Sequence, residues 1–290
     1  MEHAAAHGGG DGERRATLYV VATPIGNLRD ISLRALDMLK SVDAVAAEDT
    51  RVTGRLLSHH GISRRLIAVH EHNEKRAIKQ VLALLDAGKS LALTCDAGTP
   101  GVSDPGALLV AAVRAAGYPV APVPGASAAI AALSAAGMAA PHFLFYGFLP
   151  ARAGERRREL ERLAALPYPL LFYEAPHRIV ECVAALREAL GAERHVVIAR
   201  ELTKLFETIH TCRLAEAVAW LEADADRKRG EFVLIVEGAA EPAADTGAAL
   251  RALQALLEEL PLKQAVELAA KISGGRKNQL YKLALTLKGK

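Results

Sequence analysis

SLALTCDAGTPGVSDPG, residues 90–106, is the stretch from which the fold is read. Leu91 to Thr94 form a short apolar run of the kind found in a buried parallel strand. A loop dense in Gly, Pro and Asp follows at once, and beyond it Leu108, Leu109, Ala112 and Val113 recur at helical spacing. The loop thus joins a strand to a helix at the carboxyl edge of a sheet, where open α/β sheets bind their ligands. Gly98, Gly101 and Gly106 permit close backbone approach, while Pro100 and Pro105 stiffen the chain. The loop matches neither G-x-G-x-x-G nor the P-loop pattern, so dinucleotide and P-loop phosphate binding have no motif here. It carries Asp96 and Asp104 and no Lys or Arg, which favours a neutral or cationic ligand over an anion.

The same pattern recurs on both sides. Residues 17–23 read as a strand ending in the turn Pro24-Ile25-Gly26-Asn27, and Asp30 or Ser32 can cap the helix that follows. Val42–Ala47 is a second strand and runs into Glu48-Asp49-Thr50-Arg51. Two carboxylates and an arginine at a strand end are either a paired cluster facing a cleft or the cap of a helix beginning at Arg51, and local sequence leaves both open. Arg65–Val69 is a third strand, ending at His70-Glu71-His72-Asn73. This is not H-E-x-x-H, and adjacent strand residues point to opposite faces, so no metal site is expected there. A helix over Glu74–Ala87 leads to the central loop. Pro119–Val123 is a fifth strand, followed by Pro124-Gly125-Ala126-Ser127 and an alanine-rich helix with free N–H groups at its start. Five strand–loop–helix repeats predict one α/β domain over residues 17–140.

From residue 141 to 238 strands outnumber helices and two of them are consecutive, which predicts a second α/β domain with a mixed sheet. Polar residues again gather at its strand ends, in Tyr173–Arg178 and in Arg200–Lys204. Arg156 to Arg158 form a solvated helix face or an RNA contact. Residues 239–247 read as a linker. Residues 248–290 hold three short helical patterns with a helix–turn–helix outline. Lys263, Lys271, Arg276, Lys277 and Lys282 give this segment the charge that a phosphate backbone attracts.

Bulk properties narrow the class. A chain of 290 residues with 51% hydrophobic and 4% aromatic content has a sizeable aliphatic core. Residues 248–290 carry eight Lys/Arg against three Glu, a net +5, so the rest of the +3 chain carries −2. A cationic tail on a slightly acidic body predicts a polyanionic partner. Three scattered cysteines without C-x-x-C spacing argue for a reducing compartment and against a disulfide framework or structural zinc. No apolar run approaches the ~20 residues of a membrane span. Residues 1–16 lack the apolar region of a signal peptide and read as a disordered arm, so a cytoplasmic location is expected.

Taken in order, nine motifs resemble the ribosomal RNA small subunit methyltransferase I family of the tetrapyrrole methylase superfamily. They are YVVATPIGNLRDISLRAL, AAEDTRVTGRLL, CDAGTPGVSDPG, VPGASAAIAALSAAG, GFLP, FYEAPHR, ARELTKLFETIH, GEFVLIVEG and LPLKQAVELAAK, spanning about residues 17–287. The resemblance implies an α/β fold of two tetrapyrrole-methylase-type domains with S-adenosylmethionine in the cleft between them, a C-terminal helical domain, and a homodimer. It implies 2′-O-methylation of a cytidine ribose in the decoding region of 16S rRNA (position 1402 in the usual rRNA numbering), on the assembled small (30S) subunit and without a metal. Carried over by position, the cofactor residues are Asp96, Gly98, Thr99, Pro100, Val102, Ser103, Asp104, Gly125, Ala126, Ser127, Ala128, Phe172 and Tyr173. Glu48 or Asp49 is the expected proton acceptor. Arg51 and Arg178 are expected to hold phosphate, with Lys204 and the C-terminal cations as further RNA contacts. Porphyrin-type relatives usually read Gly-Asp-Pro where this chain has Gly98-Thr99-Pro100, which favours the rRNA branch. Cys95 stands where the family loop usually has Ser. The rival readings are a porphyrinoid methyltransferase and an RNA-binding module with a decayed cofactor site.

Overall fold

The computed structural model describes residues 15–70, 73–138, 141–240, 246–273 and 277–288. Most of the N-terminal arm, Glu71, His72 and Arg276 lie outside the described residues.

The first sheet contains β1 (Leu18–Val21), β2 (Ala44–Ala47), β3 (Arg65–Ala68), β4 (Leu91–Thr94) and β5 (Val120–Val123). All pairings are parallel, in the order β3-β2-β4-β1-β5. Strand alternation sends Leu18, Ala46, Leu91 and Leu93 to one face, against α3 (Glu74–Asp86) and α4 (Ala107–Ala115). It sends Val21, Val45 and Ala92 to the other, against α1 (Leu33–Ser41) and α2 (Thr50–His59). Burial on both faces is why these strands read as continuous apolar runs. Ser32, not Asp30, caps α1: its Oγ accepts from the Ala35 N–H at 3.1 Å, a contact worth about 1 kcal/mol.

The second sheet contains β6 (Leu144–Phe148), β7 (Leu170–Glu174), β8 (His195–Arg200), β9 (Thr208–Arg213) and β10 (Phe232–Val236), in the order β6-β7-β10-β8-β9. It is mixed as expected: β6 and β7 run parallel and the other pairs antiparallel. One face carries α6 (Ala153–Leu163), α7 (Ile179–Leu190) and α8 (Leu214–Glu222) over a core of Phe172, Ile179, Leu186, Ile198 and Leu234. The opposite face packs Leu171, Val197, Ala199, Val233 and Ile235 against Ala129 and Ala132 of α5 (Ala128–Ala135), a helix of the first sheet. The small side chains of α5 let it lie between the two sheets, and this joins them. At the C-terminal end, α9 (Thr246–Glu259), α10 (Leu262–Ser273) and α11 (Lys277–Lys288) enclose a separate core that includes Leu253, Val266, Leu280 and Ala284. No helix of the described residues is long and apolar enough to cross a membrane.

Candidate active site

The loops leaving β1 and β4 emerge side by side, because these strands are neighbours in the sheet. The loops are joined by paired hydrogen bonds, Thr23 N–H to the Gly98 carbonyl at 2.8 Å and Gly98 N–H to the Thr23 carbonyl at 3.0 Å. The central loop is held in a conformation few sequences could adopt. Gly106 has φ +123, and a Cβ there would stand 2.9 Å from Leu93 Cδ2. Ser103 takes φ 64 although it has a side chain. Left-handed backbone at a residue other than glycine marks a locally strained, over-determined site. Thr99 Oγ1 donates to the Ala126 carbonyl at 3.1 Å, tying this loop to the start of α5.

A cavity of about 310 Å³ opens between these loops and the second sheet. Ile25, Ala97, Gly98, Thr99, Val102, Asp104, Ser127 and Ala128 line it from the first sheet's side. Phe148, Tyr173 to Pro176, Leu202 and Glu231 to Val233 line it from the other. The Phe148 and Tyr173 rings meet edge to face, with centroids 5.6 Å apart. The Tyr173 hydroxyl accepts from the Ala129 N–H at 3.1 Å, so a side chain of the second sheet satisfies a free donor at the start of α5. Among the described residues, no Lys or Arg lines this cavity. Burial raises the Asp104 carboxyl above its usual range, aided by the nearby Asp96 charge. Acidic, aromatic and cation-free, the cavity fits a sulfonium-bearing cofactor.

Several of the expected cofactor residues have other places. The Phe172 side chain points away from the cavity and is fully buried in the helix-covered core, because alternation along β7 sends Tyr173 to the cavity instead. Pro100, Ser103, Gly125 and Ala126 support the wall and do not line it. Gly125 lies against Ala22, where an added Cβ would approach to 3.0 Å, and Ser103 Oγ packs on Gly147. Asp96 faces a second, adjoining cavity of about 370 Å³. That cavity shares Ile25 and Ala97 with the first and is bounded by Thr23, Leu28, Val52, Arg55 and Leu56.

The strand-end acids separate in role. Asp49 caps α2, accepting from the Arg51 N–H at 2.7 Å, and its carboxylate also pairs with the Arg51 guanidinium at 2.6 Å. These hydrogen bonds hold the Asp49 carboxyl well below the usual range. Glu48 moves the other way. Burial raises it, against a hydrogen bond from the Asp96 N–H at 3.2 Å, and the charges of Asp96, Asp104 and Asp49 raise it further. Asp96 in turn accepts from the Asp49 N–H at 3.0 Å. Burial likewise pushes up the Cys95 thiol, which stays neutral and buried beside the loop.

Two cations expected to meet RNA have carboxylate partners within the protein. Arg178 Nε lies 3.2 Å from the buried Glu174 carboxylate, and Nη2 donates to the Leu149 carbonyl at 2.6 Å. Lys204 Nζ bridges Glu201 and Glu231, both at 2.8 Å. Each cation is occupied because a carboxylate at the same loop would otherwise lose solvent unpaired. Lys263, Lys271, Lys277 and Lys282 are exposed on the C-terminal helices, with Lys277 3.4 Å from Glu267. Sequence reasoning assigned no role to Phe148, Leu202, Glu231, Phe232 or Val233, whereas Ala97 lies inside the expected Asp96–Asp104 cradle. Phe232 lies opposite Glu174 through antiparallel pairing of β10 with β7, a register that no local sequence signal carries.

Residues 17–218 match the model of the Tetrapyrrole (Corrin/Porphyrin) Methylases, and residues 243–288 that of the RsmI C-terminal HTH domain. The chain is 51% identical over 273 residues to the ribosomal RNA small subunit methyltransferase I of Escherichia coli O157:H7, covering 94% of this chain and 96% of the relative. The chain belongs to the ribosomal RNA small subunit methyltransferase I family. The family's enzyme from Pseudomonas aeruginosa is 53% identical over 277 residues, covering 94% of this chain and 98% of its own. The fold is shared with the uroporphyrin-III C-methyltransferase of Thermus thermophilus solved with S-adenyl homocysteine, at TM-score 0.55 and 20% identity over 77% of this chain and 97% of that one.

Proposed function

We propose that this protein transfers a methyl group from S-adenosylmethionine to the 2′-oxygen of a cytidine ribose in the decoding region of small-subunit rRNA, acting as a cytoplasmic homodimer on the assembled particle. The observation that carries the reading is the pair of adjoining cavities: one is acidic and cation-free, the other is open beside the Glu48–Asp96 carboxylates. Family membership supports the rRNA substrate, and the exposed lysines of α10 and α11 supply charge for a phosphate backbone.

S-adenosylmethionine supplies an electrophilic methyl on a sulfonium. The protein orients the reacting oxygen and accepts its proton. Gly98, Thr99 and Tyr173 hold the cofactor cavity in shape through the bonds described above. Fixed placement of two reactants removes much of the entropic barrier to their meeting. A ribose hydroxyl is a weak nucleophile until its proton is taken. Glu48 suits this task because its carboxyl is raised towards neutrality, whereas Asp49 is committed to the α2 cap and to Arg51.

Small ribosomal subunits lacking the modification, incubated with radiolabelled S-adenosylmethionine, should acquire label on a cytidine ribose located by mass spectrometry. Label on a porphyrinoid and none on subunits would replace this reading with small-molecule methylation. Label on neither, with cofactor still bound, would leave only the cofactor assignment.

A further inference from the structure

We propose that the second cavity receives the nucleotide whose ribose is methylated, and that Arg55 binds a phosphodiester next to that ribose. The inference rests on the RNA reading above. This cavity lies against the cofactor cavity, with Ile25 and Ala97 as their common wall. Its volume of about 370 Å³ falls within the ~300–1,000 Å³ of small-molecule sites and has room for a single nucleotide.

The lining is chemically divided. Asp96 stands at the boundary with the cofactor cavity and can accept a hydrogen bond from a ribose hydroxyl. Leu28, Val52 and Leu56 offer an apolar surface for a base, and Leu28 is partly exposed at 41%. Among the described residues, Arg55 is the cation of this lining. On α2 it lies one turn beyond Arg51, so both project from the same face.

Three other cations have carboxylate partners: Arg51 holds Asp49, Lys204 holds Glu201 and Glu231, and Arg178 holds Glu174. Arg55 is exposed, and among the described residues its side chain makes no ion pair or hydrogen bond. A guanidinium, a carboxylate and an apolar surface lining one cavity match a nucleotide's phosphate, hydroxyl and base. A porphyrinoid would present its carboxylates around the ring instead.

The test uses Arg55→Gln and Arg55→Lys in the full-length protein, with Arg114→Gln on the exposed side of α4 as a charge control. For Arg55→Gln, KM for small subunits should rise about 10-fold while the Kd of S-adenosylhomocysteine stays within about 2-fold. The slope of log affinity for subunits against log salt should fall by ~0.7–0.9, the loss of one phosphate contact, a change that a merely structural residue would not produce. Arg55→Lys should recover part of the KM, and Arg114→Gln should resemble wild type. An unchanged KM and salt slope for Arg55→Gln, on subunits that the wild type methylates, overturns the assignment of this cavity. So does an equal loss of cofactor affinity. A wild-type protein that binds S-adenosylhomocysteine but methylates no subunits removes the RNA reading itself, and the nucleotide assignment with it.

Discussion

Two adjacent carboxylates, Glu48 and Asp49, show how much a single residue's surroundings decide. Both stand at the end of β2, yet burial and neighbouring acids raise one while the Arg51 hydrogen bonds lower the other. As proton acceptor, Glu48 must be ionised, so the acid limb of the rate profile should lie above 4.5, the ordinary glutamate value. Replacing Glu48 with Gln should lower kcat by ~10²–10³-fold and flatten that limb, with little change in cofactor affinity. Single-turnover methyl transfer across pH 5–9 checks both. A kcat near wild type would remove Glu48 from the mechanism. The sequence brought the acidic pair to a strand end but left cap and cleft as equal readings, because the partner that distinguishes them, Asp96, is 47 residues away in the chain.

At the scale of elements, the strand-to-helix junctions were legible from their Gly, Pro and Asp content, and β1 to β5 lie within the five runs from which strands were predicted. What these junctions touch was less legible. Gly26 sits in the turn after β1, and a Cβ there would meet Lys204 Cγ at 2.6 Å and Thr203 Oγ1 at 2.8 Å, atoms of the loop between β8 and β9. Arg178 is the clearest case of a cation whose protein partners the sequence did not show. It joins the end of β7 to the loop after β6 through Glu174 and the Leu149 carbonyl, and Phe148 of the cavity wall adjoins that loop. Arg178→Met should leave Glu174 uncompensated and cost ~3–5 kcal/mol in urea unfolding, whereas the double variant with Glu174→Gln should recover much of the loss. An RNA-binding arginine would instead lower subunit affinity and leave stability intact.

For the molecule as a whole, the acids of the cleft hold a charge that opposes folding. Asp104 has its pKa raised by burial, so between the unfolded and folded values the native state binds the extra proton. Stability then falls as pH rises through that window, and the penalty persists at neutral pH. Asp104→Asn should therefore raise Tm by a few degrees at pH 7.5, with the gain disappearing below about pH 4, where the unfolded-state carboxyl is also protonated. Calorimetry at both pH values checks this, and a Tm gain persisting in acid would assign the effect to packing instead. The same variant should bind cofactor less well, a stability gained at the expense of the site.

The sequence by itself determined the strand and helix order, the loop chemistry, the mixed second sheet and the family, because these follow from local periodicity, turn residues and ordered motifs. Only the tertiary structure decided which residues face the cleft. Side-chain parity turned Phe172 inward and Tyr173 towards the cavity. Antiparallel register brought Phe232 opposite Glu174, and ion pairing occupied Arg178 and Lys204 while, among the described residues, Arg55 has no such partner. The physical reason is distance along the chain: burial, pairing and shared charge are set by neighbours that only folding brings together.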